Sequence, residues 1–172
     1  MKNNQNIVYL GLGSNLRQPS YRNAMKVIES FKRKIYKSGL RITKSSNYWL
    51  TYPIPFSNIP IFINCVVKCI IISKKANNPA KLLQYLKSLE IEIGRKKKNN
   101  NISRLIDIDI LDFKGKIINE ELVLPHPRMH CRKFVLYPMK KIAPNWKHPV
   151  YQKKIDFLIT KIKSHQILIK KY

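Results

Sequence analysis

Acid is scarce in this sequence. Nine Asp and Glu residues stand against 34 Lys and Arg in 172 positions, a formal charge of +25. Cysteine is scarce too: Cys65, Cys69 and Cys131 are an odd number. The first two fall in one expected strand, roughly 13 Å apart at about 3.3 Å per residue, which is too far for a disulfide. Buried, reduced thiols are therefore expected, and the lack of paired cysteine knuckles speaks against a structural zinc site. No apolar run approaches the roughly 20 residues that cross a bilayer. The opening MKNNQNIVYLGLGSN has too short an apolar core for a secretory signal, so the expected location is the cytoplasm. Glycine numbers only five, and Gly11-Leu12-Gly13-Ser14-Asn15 is not a dinucleotide fingerprint, because position 16 is leucine. Nor is there a Gly-Lys-Ser/Thr run for a P-loop.

What is present suits a globular fold. Hydrophobic residues make up 44% and aromatics 10%, and the length fits a single domain over residues 1–172 with no fusion partner expected. The positive charge taken alone points to RNA, a membrane surface or a phosphorylated substrate. Its spread argues otherwise: lysines run from Lys2 to Lys171 with only small clusters at residues 32–34 and 96–98. A solvated charge coat outweighs a dedicated nucleic-acid face.

Along the chain, residues 7–12 (IVYLGL) read as a short buried strand. A helix follows, with Pro19 in its first turn, Ala24, Val27, Ile28, Phe31 and Ile35 on one face, and Gly39 closing it. Residues 41–51 predict a second strand. Pro53, Pro55 and Pro60 make the next segment a loop, and residues 61–73 predict a long third strand. Asn78 and Pro79 form a cap and first-turn pair for a second helix bearing Leu82, Leu86, Leu89 and Ile93 and stopped by Gly94. The fourth strand is SRLIDIDILDF, residues 103–113. The order β-α-β-β-α-β is the ferredoxin-like α+β arrangement, a four-stranded antiparallel sheet with both helices on one face and the other free for a site. A small hairpin over 116–124 and a C-terminal amphipathic helix with Ile155, Leu158, Ile159 and Ile162 complete the expectation.

Asp107 and Asp109, two apart on that fourth strand, share a face, while Ile106, Ile108 and Ile110 turn toward the helices. An Asp-x-Asp in a strand is ordinarily a solvated face or a partner for surface lysines. In a chain this poor in acid, two carboxylates kept inside an Ile-rich strand just after a basic cluster point to a metal and phosphate site. At about 6 to 7 Å between Cα atoms, the pair has room for two Mg²⁺ ions roughly 3.5 to 4 Å apart, as used in displacement at phosphorus.

Several ordered motifs carry a resemblance over residues 7–149. Glu90-x-x-x-Gly94-Arg95, the Asp107 and Asp109 strand, LPHPRMHCRKFVL and the opening YLGLGSNL together resemble the 6-hydroxymethyl-7,8-dihydropterin pyrophosphokinase family. That resemblance implies transfer of diphosphate from ATP to the pterin hydroxymethyl group, giving AMP and the pterin diphosphate, a step of folate biosynthesis. It implies two Mg²⁺ ions on Asp107 and Asp109, and Arg95 and Arg104 on the transferred group, arginine's planar fork suiting phosphate oxygens. On the nucleotide side it implies Glu90, Lys97 in the loop over 95–103, Ile110, His126 and Arg132. Seen without the family, each of these would more often be a surface, core or loop residue. For the pterin it implies Thr51 and, thirteen residues on, Asn64, whose amide suits a donor and acceptor edge. Phe62 and Phe134 would sandwich the ring, and Tyr52, Pro53 and Ile54 would offer backbone groups. The glycine turn at 11–15 is implied to support the site.

The chain also departs from the family pattern. The Trp-Gly-Pro-Arg run of many members is Asn101-Ile102-Ser103-Arg104 here, a basic position before it is Asn100, and a glutamine found on the second helix of some is Lys87. Gln or Asp residues common in the pterin loop are replaced by Ser57, Asn58 and Ile59. The expectation is a monomeric enzyme of small-molecule substrates, with neither nucleic acid nor membrane as partner. An RNA-binding module shares the strand order, but it would want aromatics where the third strand reads INCVVKCIII, and Asp107 and Asp109 would repel phosphates. A catalytically inactive homologue is the remaining alternative.

Overall fold

The computed structural model describes residues 6–15, 21–52, 61–94, 105–162 and 168–171. Strands β1 (Ile7–Ser14), β2 (Leu40–Ser45), β3 (Tyr48–Thr51), β4 (Phe62–Ile71), β5 (Asp107–Phe113) and β8 (Leu168–Lys171) form one six-stranded sheet. Its order is β5-β1-β4-β3-β8, with β2 also pairing β4, and these strands pair antiparallel throughout. Helix α1 (Tyr21–Lys34) falls between β1 and β2 and helix α2 (Pro79–Glu92) between β4 and β5, which is the expected β-α-β-β-α-β succession with its second strand divided into β2 and β3. A hairpin of β6 (Ile118–Asn119) and β7 (Val123–Leu124) follows, then α3 (Lys133–Ile142) and α4 (Ile155–Thr160).

The signals at the start of α2 and at Gly39 act as read, while Pro19 lies outside the described residues. The Asn78 side chain accepts from the Lys81 amide at 2.9 Å and Pro79 opens α2, so the first turn of that helix is capped. Gly39 sits at φ +81 after the turn that ends the α1 segment, a conformation costly for any residue with a Cβ. Alternation sends Val8, Leu10, Leu12, Ile63, Cys65, Val67, Cys69, Ile108 and Ile110 to one face, where they pack with Ile28, Phe31, Leu82, Leu86 and Leu89 of the two helices. Burial pushes the Cys65 and Cys69 thiols up to about 12, so both remain protonated core residues; Cys131, by contrast, is exposed.

Three expectations need correction. Residues 41–51 are not one strand: Ser46 interrupts them, its amide donating to the Val66 carbonyl while its hydroxyl accepts from the Val66 amide, and the β2–β3 side carries an extra residue there. The sheet is wider than four strands, because β8 extends it along β3. The second face is not wholly free. Helix α3 lies over β4 and β3, and with α4 it builds a second core of Tyr9, Val66, Leu111, Met129, Leu136, Met139, Trp146, Ile155 and Leu158. The apolar stripe expected of the C-terminal helix packs here. Helix α3 escapes a reading of the sequence because Pro138, which lacks an N–H, stands inside it. No helix among the described residues is long and apolar enough to cross a membrane.

Candidate active site

The part of the second face that α3 leaves open is floored by glycine. Along β1, Gly13 stands opposite Asp107 of β5 on one side and Asn64 of β4 on the other, while Gly11 stands between Asp109 and Val66. At roughly 4.8 Å per strand spacing, the aspartates and Asn64 are about 10 Å apart across a strip without side chains. A Cβ on Gly13 would lie 2.9 Å from Asn64 Oδ1, and one on Gly11 3.3 Å from Leu111 Cδ2. Both glycines are therefore set by close approach, not by turn geometry.

A bulge shapes the aspartate side. The register between β1 and β5 shifts between Tyr9 and Leu10, which leaves Leu111 as the extra residue. Its carbonyl accepts from the His126 amide at 2.9 Å, and this bond draws the loop over 125–132 along β5. His126 Nδ1 accepts from the Arg128 amide at 3.1 Å, so the neutral ring carries its proton on Nε2, which lies 3.9 Å from Asp109 Oδ2. Burial holds this imidazole below the usual histidine range, with Arg132 adding to the effect and Asp109 opposing it. Arg132 is also lowered, chiefly by burial, and its guanidinium stands 5.4 Å from the centre of the Phe134 ring.

The same bulge turns the third aspartate of the stretch inward. Asp112 is 3% exposed and accepts from Trp146 Nε1 at 2.6 Å and from the Gly115 amide at 2.8 Å. Burial raises its carboxyl above the ordinary range against those two bonds. It is a joint between β5 and the second core, not part of the open surface.

Asp107 and Asp109 keep part of their carboxylate surface in solvent, 28% and 41% by side chain. Their chemistry suits a hard divalent cation that keeps waters or phosphate oxygens among its ligands, whereas no cluster of three His, Cys, Asp or Glu among the described residues would hold a metal by protein ligands alone. Glu90 of α2 is 1% exposed and accepts from the Ile108 amide at 2.8 Å, so it fixes the backbone between the two aspartates. Ser14, expected in a turn but lying at the end of β1, donates its hydroxyl to the Leu105 carbonyl at 2.6 Å and so ties β1 to the approach to β5.

Across the floor, Asn64 Nδ2 donates to Thr51 Oγ1 at 2.8 Å, with both residues buried. Phe62 pairs with Thr51 in the ladder and is half-buried, Tyr52 follows β3 directly, and Phe134 packs beside the second core. Thus Asp107, Asp109, His126 and Arg132 come together on one side, and Thr51 and Asn64 on the other. The Ile110 side chain does not join them: it is 3% exposed in the helix-covered core, so only its main chain can meet a nucleotide. Pro53, Ile54, Arg95, Lys97 and Arg104, with the loop over 95–103, lie outside the described residues.

Two contacts had no signal in the sequence. Lys87 Nζ reaches Asp107 Oδ1 at 3.7 Å from a helix twenty residues earlier, and Gly13 makes room for Asn64 from a distant strand.

Known proteins resemble this chain in sequence and in fold. The family model for 7,8-dihydro-6-hydroxymethylpterin-pyrophosphokinase (HPPK) matches residues 9–144. A 2-amino-4-hydroxy-6-hydroxymethyldihydropteridine pyrophosphokinase of Aquifex aeolicus is 38% identical over 85% of this chain and 86% of its own length. A folic acid synthesis protein of Pneumocystis carinii is 37% identical over 93% of this chain, which spans only 20% of that protein. The wild-type HPPK-DHPS of Plasmodium falciparum has a similar fold, with a TM-score of 0.69 at 19% identity over 91% of this chain and 44% of that one. A match to the family model over most of the sheet, both aspartates included, settles the membership: the chain belongs to the 7,8-dihydro-6-hydroxymethylpterin-pyrophosphokinase family.

Proposed function

We propose that the chain transfers the terminal diphosphate of ATP to the hydroxymethyl oxygen of 6-hydroxymethyl-7,8-dihydropterin, a step of folate biosynthesis. The hydroxyl oxygen bonds to the β-phosphorus, the bond from that phosphorus to the α-phosphate oxygen breaks, AMP leaves, and the hydroxyl proton passes to solvent. The observation that carries this reading is the side-chain-free floor of Gly11 and Gly13, with two carboxylates on one flank and the Thr51–Asn64 pair on the other. A planar ring hydrogen-bonded at Asn64 would extend over that floor toward the aspartates.

Asp107 and Asp109 would hold two Mg²⁺ ions, which neutralise phosphate charge and orient the attacking oxygen when bound. The protein's own part is positioning in a fixed electrostatic frame, without a covalent intermediate. Glu90 holds β5 in place, the neutral His126 offers its Nε2–H beside Asp109, and Arg132 gives a fixed cation to the nucleotide. Ile110 serves ATP through its main chain. By family resemblance Arg95, Lys97 and Arg104 meet the transferred group, Phe62 and Phe134 flank the pterin, and Tyr52, Pro53 and Ile54 line its edge. Residues 1–172 would act as one domain, as a monomer in the cytoplasm. The RNA-binding alternative is disfavoured by anionic Asp107 and Asp109 on the open face.

The test is positional. With ATP labelled at the β- or the γ-phosphorus, each label should appear in the pterin product and neither in AMP. Label transferred from the γ-position alone would mean simple phosphoryl transfer and overturn the proposal.

A further inference from the structure

Lys87 is placed where an ordinary surface lysine has no reason to be. Its ammonium lies 2.7 Å from Glu90 Oε1, 3.0 Å from the Ile108 carbonyl and 3.7 Å from Asp107 Oδ1. Among the described residues β5 is the edge strand of the sheet, so the Ile108 amide and carbonyl have no described strand beside them. Glu90 accepts from the amide and Lys87 donates to the carbonyl, so one helical i, i+3 ion pair takes the place of the missing strand. That arrangement anchors the ammonium by two contacts on its protein side and leaves its third aimed at a carboxylate of the metal pair.

We propose that Lys87 is a resident cation of the centre, competing with a free divalent ion for Asp107 and so favouring filling of the centre together with nucleotide. This rests on the reading of Asp107 and Asp109 as metal ligands. An ion entering alone would meet a fixed like charge beside its ligand. When it enters with a polyphosphate, the phosphate oxygens supply new partners for the ammonium, whose four-carbon stem and 39% exposed side chain allow it to reorient. Lys87 is thus a positioning residue that sets the order in which the site is filled.

The experiment uses Mn²⁺ alone as probe, with the free ion followed by electron paramagnetic resonance, on the wild type, Lys87→Gln, Lys87→Arg and Asp107→Asn. Lys87→Gln keeps a donor for Glu90 and the Ile108 carbonyl but removes the charge, and Lys87→Met provides a second neutral variant. Circular dichroism checks that each is folded. The neutral variants should bind Mn²⁺ about tenfold tighter, the scale of one like charge removed at intermediate dielectric. Lys87→Arg should match the wild type, and Asp107→Asn should bind more weakly than either. With α,β-methylene-ATP present, which cannot be cleaved at the reacting bond, the gap between wild type and Lys87→Gln should shrink to within about twofold, because the phosphates then hold the ammonium. Unchanged or weaker free-ion binding in both neutral variants, with Asp107→Asn still impaired, overturns the role of Lys87 and leaves the metal reading standing. Absence of Mn²⁺ binding in every variant overturns both.

Discussion

Gly13 shows how little room separates the two halves of the site. A single added methyl would lie 2.9 Å from Asn64 Oδ1, and the amide would have to turn away from Thr51. Gly13→Ala should therefore raise the KM for the pterin at least about tenfold while moving the KM for ATP far less, since one misplaced polar contact is worth roughly 1–3 kcal/mol. Steady-state kinetics against each substrate check this, and equal effects on both would contradict it. His148 gives a pH signature. It is 3% exposed, its Nδ1 accepts from the Val150 and Tyr151 amides, and its Nε2 has no hydrogen-bond partner among the described residues. Burial, with His130 nearby, lowers it from 6.5 to about 4. A histidine that takes up its proton less readily when folded stabilises the fold above its unfolded pKa, and that contribution falls away as pH drops from about 6.5 toward 4, by up to about 3 kcal/mol. Urea unfolding at about pH 7 and 4.5 should show a loss on acidification that is smaller in His148→Phe. At this scale the aspartates were legible, because period-two alternation puts them on one face whatever else the chain does. Lys87 and Gly13 were not, since their partners lie far off in sequence and no spacing rule links them.

Among the elements, β5 does most to build the site, through its bulge. The extra residue at Leu111 puts Asp112 on the same face as Asp107 and Asp109 and sends it toward Trp146, and it offers the carbonyl that brings His126 alongside. Trp146→Phe deprives a buried carboxylate of one of its donors and should cost about 1–3 kcal/mol in urea unfolding. If the bulge depends on that anchor, kcat should fall as well. A stability loss with full activity would show that β5 keeps its shape without it. The sequence revealed β1, α1, β4, α2 and β5 because each has a clear period and clear stops. It hid α3 behind Pro138, whereas the break at Ser46 falls in Lys44-Ser45-Ser46-Asn47, a short polar run that the strand-forming residues on either side outweighed. The short β8 lies in a segment rich in lysine and carries no strong strand signal of its own.

For the whole molecule the dominating quantity is charge. A net +25 draws a polyphosphate from solution, and that attraction is screened over about 8 Å at physiological salt. The kcat/KM for MgATP should fall as salt is raised with kcat nearly constant, and a flat kcat/KM would assign the lysines to solvation alone. Charge also explains why nine acidic residues proved informative. In such a background a carboxylate that is kept is usually committed: Glu90 to a strand edge, Asp112 to a tryptophan, Glu29 to the Tyr48 hydroxyl and Lys32. Only Asp107 and Asp109 form a partly open pair on one sheet face beside a glycine floor. The most direct measurement is AMP release from MgATP with and without 6-hydroxymethyl-7,8-dihydropterin, in the wild type and in folded Asp107→Asn and Asp109→Asn. The account predicts AMP that requires the pterin and falls by at least about a thousandfold in either variant, the scale expected when a group organising transition-state charge is lost. Pterin-dependent AMP at near wild-type rates in both variants would contradict it.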